Sequence, residues 1–161
     1  MISKIARLEI QLEAKARCRR HESHPTHRPL SKDYEYIGLL GEKALAEFSG
    51  ASLDLVPRPN GDGGKDALLH TICGDFPADV KAARKAFYLI VERGKVRPLT
   101  IYLLGQLEHE NTDEPSVRLV GWEWAERVLR APVRDFGCGV MNHHIPRTSL
   151  RKMHELSGVL R

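Results

Sequence analysis

The spacing of apolar residues changes part-way along the chain, and that change constrains the fold more than any other feature. Ile5, Leu8, Leu12 and Ala16 recur at steps of three and four and predict a helix over residues 1 to about 20. Ile37, Leu40, Ala44, Leu45 and Phe48 fit one face of a second helix, from about Lys32 to Phe48. Ser31 is placed to cap its start, and Gly50 lies just past its end. Beyond this point the apolar residues come in short β-prone runs. These are LDLVP (53–57), DALLHTIC (66–73), FPADVKAA (76–83), FYLIV (87–91), LTIYLL (99–104) and SVRLVGW (116–122). LTIYLL is the strongest strand candidate. Glu123 to Ala131 reads as a helix stopped by Pro132, and Ser149 to Gly158 as a short helix capped by Thr148 or Ser149. Helices, then strands, then helices predict an α/β fold: a mixed central β-sheet flanked by helices. Residues 1–22 form a helical extension, 23–31 (SHPTHRPLS) a linker, and 32–161 one domain.

Composition narrows the function classes. At 161 residues the chain can bury the core of one domain. A formal net charge of +4 and a pI of about 9.1 are a mild basic bias, compatible with a nucleic-acid partner. No apolar run approaches the roughly 18 residues of a membrane span, so no membrane partner is expected. MISKIARLEI lacks a continuous apolar segment, so no signal peptide is expected. Cys18, Cys73 and Cys138 are odd in number and form no CxxC pair, which suits a reduced, cytoplasmic setting.

The chemistry concentrates around NGDGGKDALL, Asn60 to Leu69. A phosphate-binding P-loop needs GxxxxGK[ST]; here Pro59 replaces the first glycine and Asp66 the Ser or Thr, and its carboxylate would repel phosphate. A calcium loop counted from Asn60 would need a glutamate where Thr71 stands. A third reading fits better. Asp66 opens a strand, and thirteen residues later ADVKAA sets Asp79 and Lys81 two apart, on one face of the next strand. If those strands pair as a hairpin, two carboxylates and an ammonium converge. Paired carboxylates favour a hard divalent ion, Mg²⁺ or Mn²⁺. A neighbouring lysine can orient water or stabilise charge developing on a phosphate. The plainer reading, a solvated strand face, conflicts with the flanking Ala78, Val80, Ala82 and Ala83. Asp62 is a spare acid in the glycine turn, able to replace Asp66 if the strand starts earlier.

Asp66, followed by Asp79-Val80-Lys81 and preceded by Glu42 in the helical GLLGEKALAEF, resembles the PD-(D/E)XK nuclease superfamily. The likeness covers roughly Lys32 to Val120; Lys65 stands where the motif's proline would be. It implies a restriction-endonuclease-like core and a Mg²⁺-dependent deoxyribonuclease, an endonuclease by preference. It also implies metal binding by Asp66, Asp79 and the Val80 carbonyl, with Lys81 positioning water and Glu42 assisting through a second metal or a water. Arg84 and Lys85 would meet the DNA backbone. Two rivals remain: a non-catalytic nucleic-acid- or partner-binding module on a nuclease-like core, and a Holliday-junction resolvase.

Two other segments carry expectations. Met1 and Leu8, and Ile5 and Leu12, lie seven apart, a short heptad seam through which two copies could form a homodimer. Arg17, Arg19 and Arg20 would then flank the interface and reach phosphates. MNHHIPRTS (141–149) resembles the first strand of an HNH nuclease finger, but of the downstream partners that finger needs only His154 follows. Cys138, His143, His144 and His154 could ligate zinc, though not at finger spacing. The expectation is a structural loop feeding a terminal helix that packs through Ile145, Leu150, Met153 and Leu156, with Arg147, Arg151 and Lys152 outward.

Overall fold

A computed structural model describes residues 4–22, 33–51 and 65–161. Two helices come first, α1 (Lys4–Glu22) and α2 (Tyr34–Ser49). Gly50, at φ 70°, closes α2 in the left-handed conformation that glycine adopts without strain, and the Ala51 amide donates back to the Ala46 carbonyl at 2.9 Å. The strands are β1 (Ala67–Thr71), β2 (Gly74–Ala83), β3 (Tyr88–Glu92), β4 (Ile101–Glu108) and β5 (Ser116–Trp124). After them come α3 (Ala125–Arg130), β6 (Val133–Asp135), β7 (Met141–Pro146), a 3₁₀ turn (Arg147–Ser149) and α4 (Met153–Ser157). No described helix is long and apolar enough to cross a membrane.

The α/β expectation holds: a mixed four-stranded sheet, in the order β1-β2-β4-β5, packs against helices. β1 and β2 form an antiparallel hairpin, β2 and β4 run parallel, and β4 and β5 are antiparallel. The hairpin turn is fixed locally. The Thr71 hydroxyl donates to the Gly74 carbonyl at 2.8 Å and accepts from the Cys73 amide at 3.1 Å. β4 is central, and its unbroken apolar run has a physical reason: both of its faces are covered. Ile101 and Leu103 pack with Leu45 of α2, Val80, Trp122 and Leu156 of α4. Tyr102 and Leu104 pack on the other face with Leu89, Val91, Val128 and Ile145.

Those last residues belong partly to a second sheet, β3-β7-β6, all antiparallel, which the sequence reading did not foresee. FYLIV was expected to join the central sheet. It cannot do so beside β4, because both edges of β4 are already taken, by β2 and by β5. A parallel β2–β4 pair also needs a crossover, and β3 lies within it. The expected loop at 141–149 is instead largely β7, the middle strand of this second sheet, with Asn142, His143 and Ile145 buried. The His143 ring pairs its Nδ1 with the Ala131 carbonyl at 3.2 Å, so a buried histidine is satisfied without a metal.

Other boundaries move for tertiary reasons. The helix expected from Glu123 starts at Ala125, because ladder pairing holds β5 on β4 as far as Trp124. The terminal helix expected from Ser149 starts only at Met153. Arg151 first forms an antiparallel bridge with Trp122, with Leu150 seated over Gly121. Arg147 turns inward to donate to Gln106 at 2.6 Å, and Arg151 lies over the Trp122 ring, so neither simply faces water. On α1, Leu8 and Leu12 are exposed, whereas Ile10 and Ala14 dock against Ile37, Leu39 and Leu40 of α2. The expected strand at 53–57, the cap Ser31, the linker and Asp62 lie outside the described residues.

Gly41 sets the distance between α2 and the central sheet. A Cβ there would stand 2.9 Å from the Ala82 Cβ and 3.4 Å from a Val80 methyl, both on β2. Neither neighbour is a flexible chain end, so the helix itself would have to move. Gly41→Val is expected to destabilise the fold by about 1–3 kcal/mol, the usual cost of overpacking a core. Urea unfolding measures it, and a midpoint equal to wild type would mean that α2 is not held this close.

Candidate active site

The β1–β2 hairpin brings Asp66 to the DxK strand. Ala67 pairs with Ala78, and one residue earlier the Asp66 amide donates to the Ala78 carbonyl at 2.8 Å. β1 pairing ends there, and among the described residues no strand pairs with that edge of β2 from Asp79 onward. The Asp66 side chain fills this opening: its Oδ2 accepts the Val80 amide at 2.7 Å. A strand residue directs its amide and carbonyl to the same edge, so the Val80 carbonyl faces the Asp66 side as well.

Asp79 and Lys81 project together, as period-two spacing requires. Lys81 Nζ lies 2.5 Å from Asp79 Oδ1 and donates to Oδ2 at 2.8 Å. They align with Tyr102 and Leu104 of β4, on the face away from α2. Asp79 is buried and Lys81 only half-buried, so the ammonium can still reach a ligand. Asp79 Oδ1 is enclosed and makes no hydrogen bond of acceptable geometry, despite the nearby ammonium.

Electrostatics ties the acids together. Burial, reinforced by the negative charges of Asp79 and Glu42, pushes the Asp66 carboxyl up to about 8, against the opposing Val80 amide and Lys81 ammonium. Glu42 approaches from the opposite direction, since α2 packs on the face that carries Ala78 and Val80. Its carboxylate is gripped by Arg17 of α1, with Nη1 to Oε1 at 2.6 Å and Nη2 to Oε2 at 3.2 Å. Arg17 Nε also donates to Glu13 at 3.2 Å. Burial alone would lower the Arg17 pKa, but the bonds and charges of Glu42 and Glu13 more than offset it, and the guanidinium is held above its ordinary value.

The remaining sequence candidates are placed as follows. Arg84 is exposed and ion-paired with Asp33 at 2.9 Å and Glu110 at 2.5 Å, and Lys85 is exposed beside it. Cys138, His143, His144 and His154 do not assemble. Among the described residues no group of three or more His, Cys, Asp or Glu side chains is gathered to hold a metal. The same observation separates Glu42 from the Asp66–Asp79 pair as a ligand set. Sequence reasoning missed the Arg17–Glu42 contact, reading Arg17 as one of a basic cluster. The legible signal was its spacing from Ile10 and Ala14, steps of seven and three that put it on the docked face of α1.

Does the residue set fit a divalent ion? Asp66 and the Val80 carbonyl lie at one edge of β2 with Asp79 on the adjoining face, burial above all holds the Asp66 carboxyl protonated near neutrality, and one Asp79 oxygen is buried without a hydrogen bond. A hard cation relieves all three conditions, with water completing its shell. Comparison with protein-family models, curated proteins and solved structures found no match to this chain.

Proposed function

We propose that the chain is a metal-dependent nuclease that hydrolyses DNA phosphodiester bonds, an endonuclease with a site and core of the PD-(D/E)XK type. The observation that supports it most is the Asp66–Val80 contact, which sets a strained carboxyl against Asp79-Val80-Lys81. Asp66, Asp79 and the Val80 carbonyl would hold Mg²⁺ or Mn²⁺. When bound, the ion supplies Lewis-acid polarisation of a phosphoryl oxygen and lowers the pKa of a water. Lys81 works from the chain's own side. Its ammonium, steadied by Asp79, presents donors to a non-bridging phosphate oxygen or to the attacking water, where negative charge develops. Tyr102, fully buried beside Asp79, closes the floor of the site and excludes water there. Arg84 and Lys85 are proposed to meet the DNA backbone, Arg84 by exchanging Asp33 and Glu110 for phosphate. The expected setting is cytoplasmic. A homodimer would present two such sites to the two strands of a duplex, a state that light scattering detects.

The ion pairs of Glu42 with Arg17, and of Arg84 with Asp33 and Glu110, also suit a non-catalytic binding module, and a junction resolvase shares the same site chemistry. One panel separates these readings: duplex, single-stranded and branched DNA, each with Mg²⁺, Mn²⁺, Ca²⁺ or chelator. Cleavage is expected with Mg²⁺ or Mn²⁺ and none with chelator. Calcium, a larger and looser ion, should support binding without cleavage. Binding without cleavage under every ion would leave the module reading, and cleavage confined to branched substrates would favour the resolvase.

A further inference from the structure

We propose that Arg97 is a further substrate-binding residue of this site: the loop of residues 93–100 is fastened to the Asp79–Lys81 face and presents the Arg97 guanidinium to a phosphate of the bound DNA strand. This rests on the nuclease reading above and names a contact which that reading does not use. The loop joins β3 of the second sheet to β4 of the central one and reads RGKVRPLT. Its backbone is pinned on the same side of the sheet as Asp79 and Lys81. The Lys95 amide donates to the Glu92 carbonyl at 3.0 Å, which closes the turn after β3. Val96 packs against the cluster that holds Tyr102 and Leu104. The Tyr102 hydroxyl accepts the Arg97 amide at 2.9 Å and donates to the Lys95 carbonyl at 3.5 Å. Tyr102 in turn pairs with Asp79 across the β2–β4 ladder. One buried side chain therefore links the loop to the strand that carries the site.

The charges follow the same path. Burial pushes the Tyr102 phenol above its ordinary value, the Arg97 amide opposes this, and the charges of Asp79, Lys81 and Arg97 all act on the hydroxyl. The phenol stays neutral and keeps both bonds to the loop. Arg93, Lys95 and Arg97 are exposed, and of the three only Lys95 has an ion-pair partner among the described residues, Glu92 at 3.0 Å. Arg84, by contrast, is already engaged by Asp33 and Glu110. A guanidinium on a backbone fixed in this way is preorganised, so less freedom is lost when its planar fork meets two phosphate oxygens. Lys81 would serve the phosphate at the metal, and Arg97 one further along the same strand.

Fluorescence anisotropy of a labelled DNA oligonucleotide, single-stranded and duplex, with the full chain in Ca²⁺ over a range of NaCl concentrations tests this. Arg97→Gln is expected to weaken binding at least about tenfold, the worth of one charge-assisted hydrogen bond. It should also lower the slope of log affinity against log salt by about one. Arg97→Lys should keep the slope but recover only part of the affinity, because the fork is lost. It decides the matter by affinity if circular dichroism shows Arg97→Gln unfolded. Tyr102→Phe loosens the loop without removing a charge, so affinity should fall while the slope stays at the wild-type value. Lys152→Gln removes an exposed cation beside α4, across the sheet, and should match wild type. Mn²⁺ affinity measured without DNA should not fall in Arg97→Gln, since no proposed ligand is lost. Unchanged affinity and slope in folded Arg97→Gln, or an equal loss in Lys152→Gln, would overturn the role of Arg97, while cleavage by wild type keeps the nuclease reading intact. Wild type that neither binds nor cleaves DNA with any ion would remove the nuclease reading and this contact with it.

Discussion

Asp79→Asn and Lys81→Ala are each expected to lower Mg²⁺-dependent cleavage of plasmid DNA by at least about a hundredfold, and up to a thousandfold, in line with the loss of one preorganised charged group. Neither should unfold the chain. Asn is nearly isosteric with Asp, and Lys81 is half-exposed, so its removal opens no buried cavity. The two variants fail for different reasons. Asp79→Asn removes a proposed metal ligand and is expected to lose Mn²⁺ affinity in proportion. Lys81→Ala keeps both carboxylates, so it should bind Mn²⁺ nearly as well as wild type and still not cleave. Parallel measurement of cleavage rate, Mn²⁺ affinity and circular dichroism makes the comparison. Wild-type cleavage by either folded variant would show that the site lies elsewhere.

Asp66→Asn is expected to stabilise the metal-free protein in alkali and abolish its response to metal. In the fold the Asp66 carboxyl is pushed up to about 8, from 3.8 in the absence of its surroundings. Below about pH 4 both folded and unfolded chains hold the proton, and the group's contribution to stability is whole. As pH rises from there, the unfolded chain releases the proton first, and stability falls by up to about 1.4 kcal/mol per pH unit. Above about pH 8 both forms are ionised and the loss levels off. Asn can still accept the Val80 amide, carries no charge and does not titrate. The variant should therefore melt higher than wild type at pH 8–9 in chelator, with a flatter profile across pH 4–8. On the proposed reading, Mn²⁺ would displace that proton in wild type. Metal should therefore raise the wild-type melting temperature most at the alkaline end and leave Asp66→Asn unchanged. Equal pH profiles for the two proteins would mean that the Asp66 carboxyl is not confined as described. Such an exchange of stability for function is common where acids are gathered for chemistry.

What the sequence determined by itself is local. Three- and four-residue spacing placed α2, and the glycine after Ser49 gave its end, because a helix C-terminus needs a left-handed residue that glycine supplies. Period-two spacing put Asp79 and Lys81 on one face. The short turn after Thr71 made β1 and β2 a hairpin, which carries Asp66 to the DxK strand with no long-range information. LTIYLL stood out as the strongest strand candidate, and its near-continuous apolar run suits the burial of both faces that the sheet then gives it.

The tertiary structure decided whatever depends on partners distant in sequence. β3 left the central sheet because β2 and β5 already occupied both edges of β4, an exclusion no local pattern encodes. The histidine-rich 141–149 segment became a buried strand because Ala131, twelve residues before His143, supplied the acceptor its ring needs. On α1 the obvious leucines stayed in water while Ile10 and Ala14 docked, since the match to the surface of α2, rather than hydrophobicity alone, chooses the face. That choice carried Arg17 to Glu42. A basic residue in a basic cluster looks like a surface charge until packing sets it against a carboxylate 25 positions away.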